Sequence, residues 1–435
     1  MKSAVKLSSH SQEELVIQTG WSRYQWFIVI SLFLAMVIAY LDRINFSIVM
    51  PVLIKEYNIS PATGGILLSI FNWSLAFFYL FAGPLIDRYH ARRMLPLGVG
   101  IWSTATLLTG LSTSIPFLGA MRGLLGTGES TLVPSASKII SEVFKKEDRG
   151  KVVGLYFSGT KVGVTLGAPL ASMILVAYGW QAVFYITGAI SLLWLMFWLP
   201  IYRKNKEVIP PEVHEEDEKQ RPISWFSLLK NRSVWALLLG QAGYLYVYFV
   251  FITWVPSYLV LELKMGFLKT GFLSMVPFLL AVVMGISSGW AADWWIKKGG
   301  NLSLVRKTFI GCGFALSTIF IIISAYSPSA NLTVLFLILS MGALGIASPN
   351  VNALPMDISS RRVVSSVSAL QNFGGNIGGA FAPALTGILY AWTGSFQSSL
   401  ILTGVIAVVL GIGSHIFLLG KIEKSVGINL NNEKL

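Results

Sequence analysis

Five ionisable residues stand inside apolar runs long enough to span a bilayer. Asp42 and Arg43 lie in Ala39-Tyr40-Leu41-Asp42-Arg43-Ile44-Asn45-Phe46-Ser47, Arg122 and Glu129 in a second run, and Lys161 in a third. On insertion scales each ionised group at mid-bilayer costs ~2.5–3.5 kcal/mol, so five unpaired ones would cost on the order of 12–18 kcal/mol. They are therefore expected to converge on a shared, partly hydrated cavity. Neighbouring helix positions point about 100° apart, so Asp42 and Arg43 each need a partner on another helix or in a ligand. Arg122 and Glu129, nearly two turns apart, share one face at about 10 Å. Three bases against two acids leave an excess of one positive charge, or three once both acids are protonated. Such a site attracts an anion, and by reciprocity a bound anion favours protonation, which is the thermodynamic core of proton–anion symport. The alternative is that Asp42–Arg122 and Arg43–Glu129 are static salt bridges, which are poor stability devices beside apolar packing.

Lys161 sits in Ser158-Gly159-Thr160-Lys161-Val162-Gly163. There it is either a second clamp, suited to a dicarboxylate, or a side chain that snorkels to an interface. The second half of the chain offers only neutral groups inside its apolar runs: Gln241, Tyr244, Tyr248, Asn350, Asn352, Gln371, Asn372 and Asn376. These suit the hydroxyls or distal polar end of a substrate. Tyr244 and Tyr248, at i and i+4, either line a cavity or pack in an interface belt. Asn72 and Tyr79, seven apart, could face the same cavity. The four histidines are isolated and Cys312 is the single cysteine, so neither a metal site nor a disulfide framework is expected, and the proton is the only cofactor-like species implied. An enzyme would need a nucleophile with its base, and no such arrangement accompanies the two acids.

The elements that must position these residues follow from hydropathy. The 435 residues are 54% hydrophobic and 12% charged, with a mean hydropathy of +0.67. That composition describes an all-α, polytopic membrane protein. Apolar runs predict twelve transmembrane helices, near 26–50, 64–84, 94–112, 116–140, 151–177, 181–202, 234–258, 268–293, 306–326, 332–354, 363–391 and 397–420. They divide into a cytoplasmic N-terminus (1–25), an N-terminal six-helix bundle (26–202), a cytoplasmic linker (203–232), a C-terminal six-helix bundle (233–420) and a cytoplasmic tail (421–435). The net charge of +13 is scattered through short loops, which argues against nucleic acid. Its concentration on alternate loops places both termini in the cytoplasm by the positive-inside rule. The mixed-charge run Pro210-Pro211-Glu212-Val213-His214-Glu215-Glu216-Asp217-Glu218-Lys219 reads as solvated linker.

The halves look like copies. Gly167-Ala168-Pro169-Leu170 matches Phe381-Ala382-Pro383-Ala384, Gly179-Trp180 matches Thr393-Gly394, and Gly83-Pro84-Leu85-Ile86-Asp87-Arg88 matches Gly289-Trp290-Ala291-Ala292-Asp293. This is the parallel repeat of a two-bundle transporter. With its signature loop Gly83 to Arg93, the chain resembles the major facilitator superfamily. Tyr40-Leu41-Asp42-Arg43-Ile44-Asn45, Arg122-Gly123-Leu124-Leu125-Gly126-Thr127-Gly128-Glu129 and Trp254-Val255-Pro256-Ser257-Tyr258-Leu259 resemble, more narrowly, the anion:cation symporter family of sugar-acid transporters. The resemblance implies that Asp42 and Glu129 are the protonatable pair, that Arg43 contacts a substrate carboxylate, and that Arg122 releases an acid as protons come and go. It also singles out Asn372 in the second half. Around these, Lys161, Thr160, Asn72, Tyr79, Gln241, Tyr244 and Gln371 complete the expected substrate site. Thr160-Lys161 departs from the galactonate-type pattern, in which Gln stands at the first position and no Lys follows. Asp87, Arg88, Arg92, Arg93 and Asp293 are expected to form a cytoplasmic gate, although positive-inside topology alone would account for the arginines. The expectation is a monomeric, proton-coupled importer of an organic anion, a sugar acid (aldonate, aldarate or hexuronate), in a bacterial-type inner membrane. The alternatives are an importer of an aromatic or simple carboxylate and an anion exchanger.

Overall fold

A computed structural model describes residues 21–204, 225–359 and 364–422. Regular structure among these residues is helical throughout. In chain order the helices are α1 Arg23–Glu56, α2 Pro61–Tyr89, α3 Ala91–Thr109, α4 Ile115–Glu129, α5 Leu132–Val143, α6 Lys146–Tyr178, α7 Trp180–Lys204, α8 Trp225–Leu228, α9 Arg232–Thr253, α10 Val255–Leu261, α11 Phe267–Lys297, α12 Leu302–Ala325, α13 Ala330–Ile358, α14 Val364–Thr393 and α15 Gln397–Ile406. The last continues as a π-helix over Ala407–Leu418. The charged run at 210–219 and most of both expected tails lie outside the described residues.

Among the described residues, nine helical segments are long and apolar enough to cross a membrane. The other three expected spans coincide with α3, with α4 and α5 together, and with α14. Each falls short for a visible reason. The short α3 carries Arg92 and Arg93 in its first turn, α4 and α5 are divided by a break at Ser130–Thr131, and α14 is rich in glycine and amides. The break after Glu129 has a local cause: Pro134 cannot donate to the Ser130 carbonyl, and the Ser130 and Thr131 hydroxyls instead turn back to the carbonyls of Thr127 and Gly128. A second break, at Trp254, precedes Pro256 in the first turn of α10.

The internal repeat is a packing repeat. Glycine lets α6 lie against α1, since a Cβ at Gly159 or Gly163 would stand 2.5 Å from the carbonyl of Phe33 or Val37. Gly374 and Gly378 bring α14 onto Leu238 and Ala242 of α9 in the same way. Between the halves, Gly65 of α2 abuts Pro383 and Gly387 of α14, and Gly271 of α11 abuts Ala168 and Ser172 of α6. Each inter-half contact is thus the image of the other under the repeat. This register pairs Pro383 with Ala168, not with Pro169, and Gly394 with Gly179, one residue away from the sequence match. Backbone conformation agrees, because Gly179 and Gly394 are the residues that turn with positive φ, +86° and +70°. Close to those turns, Trp180 donates to Glu56 at 2.7 Å, and Ser395 Oγ and the Phe396 amide donate to Glu262 at 3.0 and 2.7 Å.

The halves meet at the end of the molecule where α1 finishes. There, too, Ser257 Oγ reaches the Ser47 carbonyl at 3.5 Å, a carbonyl that Pro51 leaves without its helical donor. At the opposite end, where α1 begins, Asp87 pairs with Lys138 at 3.4 Å in the first half, and Arg306 pairs with Asp357 at 2.8 Å and Asp293 at 3.8 Å in the second. Each of these pairs stays within its own half.

Candidate functional site

Arg43 and Glu129 form the centre of the site. Arg43 donates through Nε at 3.0 Å and Nη2 at 2.7 Å, both to Oε2 of Glu129. The acid is buried and the guanidinium 11% exposed. Glu129 is the last residue of α4, the negative end of the helix dipole, so the helix offers its carboxylate nothing and Arg43 supplies the compensating charge. Its other oxygen, Oε1, has no hydrogen-bond partner.

Arg122 makes no such pair. Its guanidinium packs on aromatic faces, 4.5 Å from the ring centre of Phe46 and 4.8 Å from that of Phe71. The other neighbour of Phe71 is Arg43, at 4.9 Å, which also lies 4.3 Å from the Tyr40 ring. A single buried ring therefore serves two cations. Sequence reasoning passed over Phe71 and Phe46, which look like ordinary span residues until the guanidinium planes are placed on them.

Asp42 departs from its neighbours. Neither carboxylate oxygen has a hydrogen-bond partner among the described residues. The polar groups beside it are Thr106 of α3 and Thr187 of α7, whose hydroxyls turn to the carbonyls of Trp102 and Val183. Arg122 is within electrostatic reach but does not bond to it. The static Asp42–Arg122 bridge is thus absent, because Arg122 turns to the rings.

The remaining predicted residues divide. Tyr79 lies within electrostatic reach of Arg43, Tyr40 and Glu129, and joins the cluster. Asn72 is buried on α2. Lys161 and Thr160 are half-buried on α6, and the Lys161 ammonium stands 5.5 Å from the ring centre of Tyr248 on α9, across the interface between halves. Tyr248 stacks on Tyr244 at 6.2 Å. Gln241 is buried with a free Oε1. Asn372 is exposed, its amide turned to the Ser368 carbonyl. Gln371 is occupied: its amide donates at 3.0 Å to the Val351 carbonyl, which Pro355 deprives of its helical donor.

At the end where α1 begins, among the residues expected to form a gate, Asp87 and Asp293 join the ion pairs described above, and Arg88 lies 5.3 Å from the Tyr89 ring. Arg92 and Arg93 open α3. Lys138 of α5 reaches Asp87. The second half also holds a buried cation at the first residue of the expected span 306–326. Arg306, 9% exposed, bonds Asp357 and donates to Asn350 at 3.0 Å. α12 and α13 run further than their apolar runs and draw Arg306 and Asp357 into helix.

Two helical halves that meet at one end, with a buried charge cluster inside the first half, define the class, a membrane transporter. The chain belongs to the Major Facilitator Superfamily, whose family model matches residues 32–305 and 299–433. It is 28% identical to a probable L-galactonate transporter of Escherichia coli K12, over 92% of this chain and 90% of that one. It is also 28% identical to a D-galactonate transporter of E. coli O6:H1 (92% and 97%) and to a hexuronate transporter of Bacillus subtilis (93% and 97%). These relatives agree with the anion:cation symporter resemblance, and they are transporters, not enzymes. In fold, the chain is similar to a bacterial homologue of the lysosomal transporter Spinster, solved inward-facing and unoccupied, with a TM-score of 0.79 at 18% identity over 93% of this chain and 98% of that one.

Proposed function

We propose that this transporter is a proton-coupled symporter that imports an organic anion, a sugar acid, across a bacterial-type inner membrane. It works as a monomer by alternating access between bundles 26–202 and 233–420, with both termini cytoplasmic. The observation that carries this reading is the Arg43–Glu129 pair, in which an acid occupies, through one oxygen, the two donors that a substrate carboxylate would use. Protonating Glu129 frees Arg43 for an anion, and an anion on Arg43 displaces Glu129 towards its protonated form. Binding and protonation are thereby linked. Asp42, buried without a donor, is the second proton site, and Arg122, held on rings, adjusts to its charge. With both termini cytoplasmic, the closed end where α1 finishes is read as the outer seal and the state as an inward-facing one. Substrate leaves between the Asp87–Lys138 and Asp293–Arg306–Asp357 networks, which are the gate when that side closes.

The test is uptake into proteoliposomes under an imposed inward proton gradient, with aldonates, aldarates, hexuronates and aromatic acids as substrates. One sugar acid accumulates above equilibrium in the wild type, and Arg43→Ala loses both accumulation and exchange. Equal transport with Arg43→Ala would contradict the assignment of the substrate carboxylate.

A further inference from the structure

Lys161 is the cation that the coupling scheme does not use. Its ammonium has no carboxylate partner among the described residues, and it faces the Tyr248 ring across the interface between halves. The surroundings make this a built position. Gly159 and Gly163 press α6 onto α1, and because Lys161 stands midway between them in sequence, its side chain leaves the opposite face of the helix. Tyr248 is 5% exposed, stacked on Tyr244 and braced edge-on by Phe278 at 5.7 Å. It also lies within electrostatic reach of Arg43 and Tyr40. The packing repeat explains why. Leu238 and Ala242 of α9 are the images of Phe33 and Val37 of α1, and continuing both helices equally makes Tyr248 the image of Arg43. Lys161 therefore points at the second half's counterpart of the residue that binds the substrate carboxylate.

Charge bookkeeping then names the ligand. Arg43 is engaged by Glu129, whereas Arg122 rests on Phe46 and Phe71 and Lys161 faces Tyr248. Ring faces are weak partners for a cation beside a carboxylate, so both residues keep most of their capacity for an anion. Protonating Glu129 would add Arg43. A monocarboxylate satisfies one end of this set and leaves Lys161 with a ring alone.

We propose that the transported anion is a dianion, a dicarboxylic sugar acid of the aldarate type, with one carboxylate at the Arg43–Arg122 end and the other drawn to Lys161 above Tyr248. This rests on the organic-anion reading and narrows it. The role of Lys161 is selectivity between acids with one charged end and acids with two.

The test uses pairs of equal carbon number that differ only in the second carboxylate, gluconate against glucarate and galactonate against galactarate. Binding is measured on the purified full-length transporter, with uptake in proteoliposomes alongside. In the wild type, one aldarate binds at least about tenfold more tightly than its aldonate, the worth of one charge-assisted contact. In Lys161→Gln that ratio collapses to within about twofold, and in Lys161→Arg it persists, which separates lost recognition from lost folding. Aldonates bound as tightly as aldarates by the wild type, or a ratio unmoved in Lys161→Gln, would overturn the dianion assignment and leave the organic-anion reading intact. If neither member of any pair binds, the dianion assignment falls, and a hexuronate and an aromatic acid tested on the same preparation decide whether the organic-anion reading falls with it.

Discussion

At the scale of the residue, the site is organised by what each cation rests on. Arg43 has an acid and two rings, Arg122 has rings, and Lys161 has a ring from the other half. Phe71 is common to both arginines, so its removal acts on both. Phe71→Leu keeps an apolar side chain of smaller volume and loses the π face, forfeiting two contacts of about 0.5–2 kcal/mol each. Because both contacts exist without substrate, the expected outcome is lowered thermal stability together with apparent substrate affinity weakened at least about fivefold in counterflow, while Phe71→Tyr stays close to wild type. An affinity unchanged in Phe71→Leu would reduce the ring to packing. Asp42 differs because it has no hydrogen bond to lose. Asp42→Asn fixes it uncharged, and the expected outcome is retained exchange of substrate with concentrative uptake reduced at least about tenfold, read by comparing counterflow with gradient-driven uptake.

At the scale of the element, glycine sets how closely helices approach, and proline sets which carbonyls are left for others. Gly163 of α6 has the Val37 carbonyl where a Cβ would go, while Gly154 of the same helix has nothing within 4 Å. Gly163→Val is therefore expected to lower stability by ~1–3 kcal/mol or to push α1 and α6 apart. Gly154→Ala is expected to be neutral or up to ~1 kcal/mol stabilising. Thermal unfolding in detergent checks both, and equal behaviour of the two variants would contradict the packing account. The prolines explain a result that the residue list alone did not foresee. Gln371, expected in the substrate site, is spent on the Val351 carbonyl that Pro355 frees. A glutamine in an apolar span looks the same whether it faces a substrate or repairs a helix, and only the position of a proline on a neighbouring helix distinguishes the two.

At the scale of the whole molecule, the two halves close against each other through α2 with α14, α6 with α11, and α1 with α10. If this closed end is the outer seal, Ser47→Cys with Ser257→Cys, on a Cys312→Ser background, forms a cross-link that stops transport and is reversed by reductant. Cross-linking that leaves transport intact would contradict the rocking motion.

Much of this level was legible beforehand. The all-helical fold, nine of the expected spans and the repeat followed from hydropathy and pattern, and the burial of Asp42, Arg122 and Glu129 agrees with charges drawn together by the cost of burying them. The register of the repeat did not, because aligned prolines suggested a pairing that the glycine contacts shift by one residue. The partners of Arg122 and Lys161 were hidden for a related reason: a phenylalanine or tyrosine that carries a cation has the same sequence signal as one that only packs. Arg306 and Asp357 were passed over because hydropathy blurs the ends of a span: 306–326 begins on Arg306 and 332–354 stops short of Asp357, whereas α12 and α13 carry both inside helix.

The central claim is that Glu129 exchanges a proton for its hold on Arg43. Its most direct test is Glu129→Gln in proteoliposomes, with counterflow of a transported sugar acid and gradient-driven uptake measured on the same preparation. The account predicts counterflow near the wild-type rate and no accumulation above equilibrium. Accumulation equal to wild type under the same gradient would contradict it and would point to exchange against an internal anion.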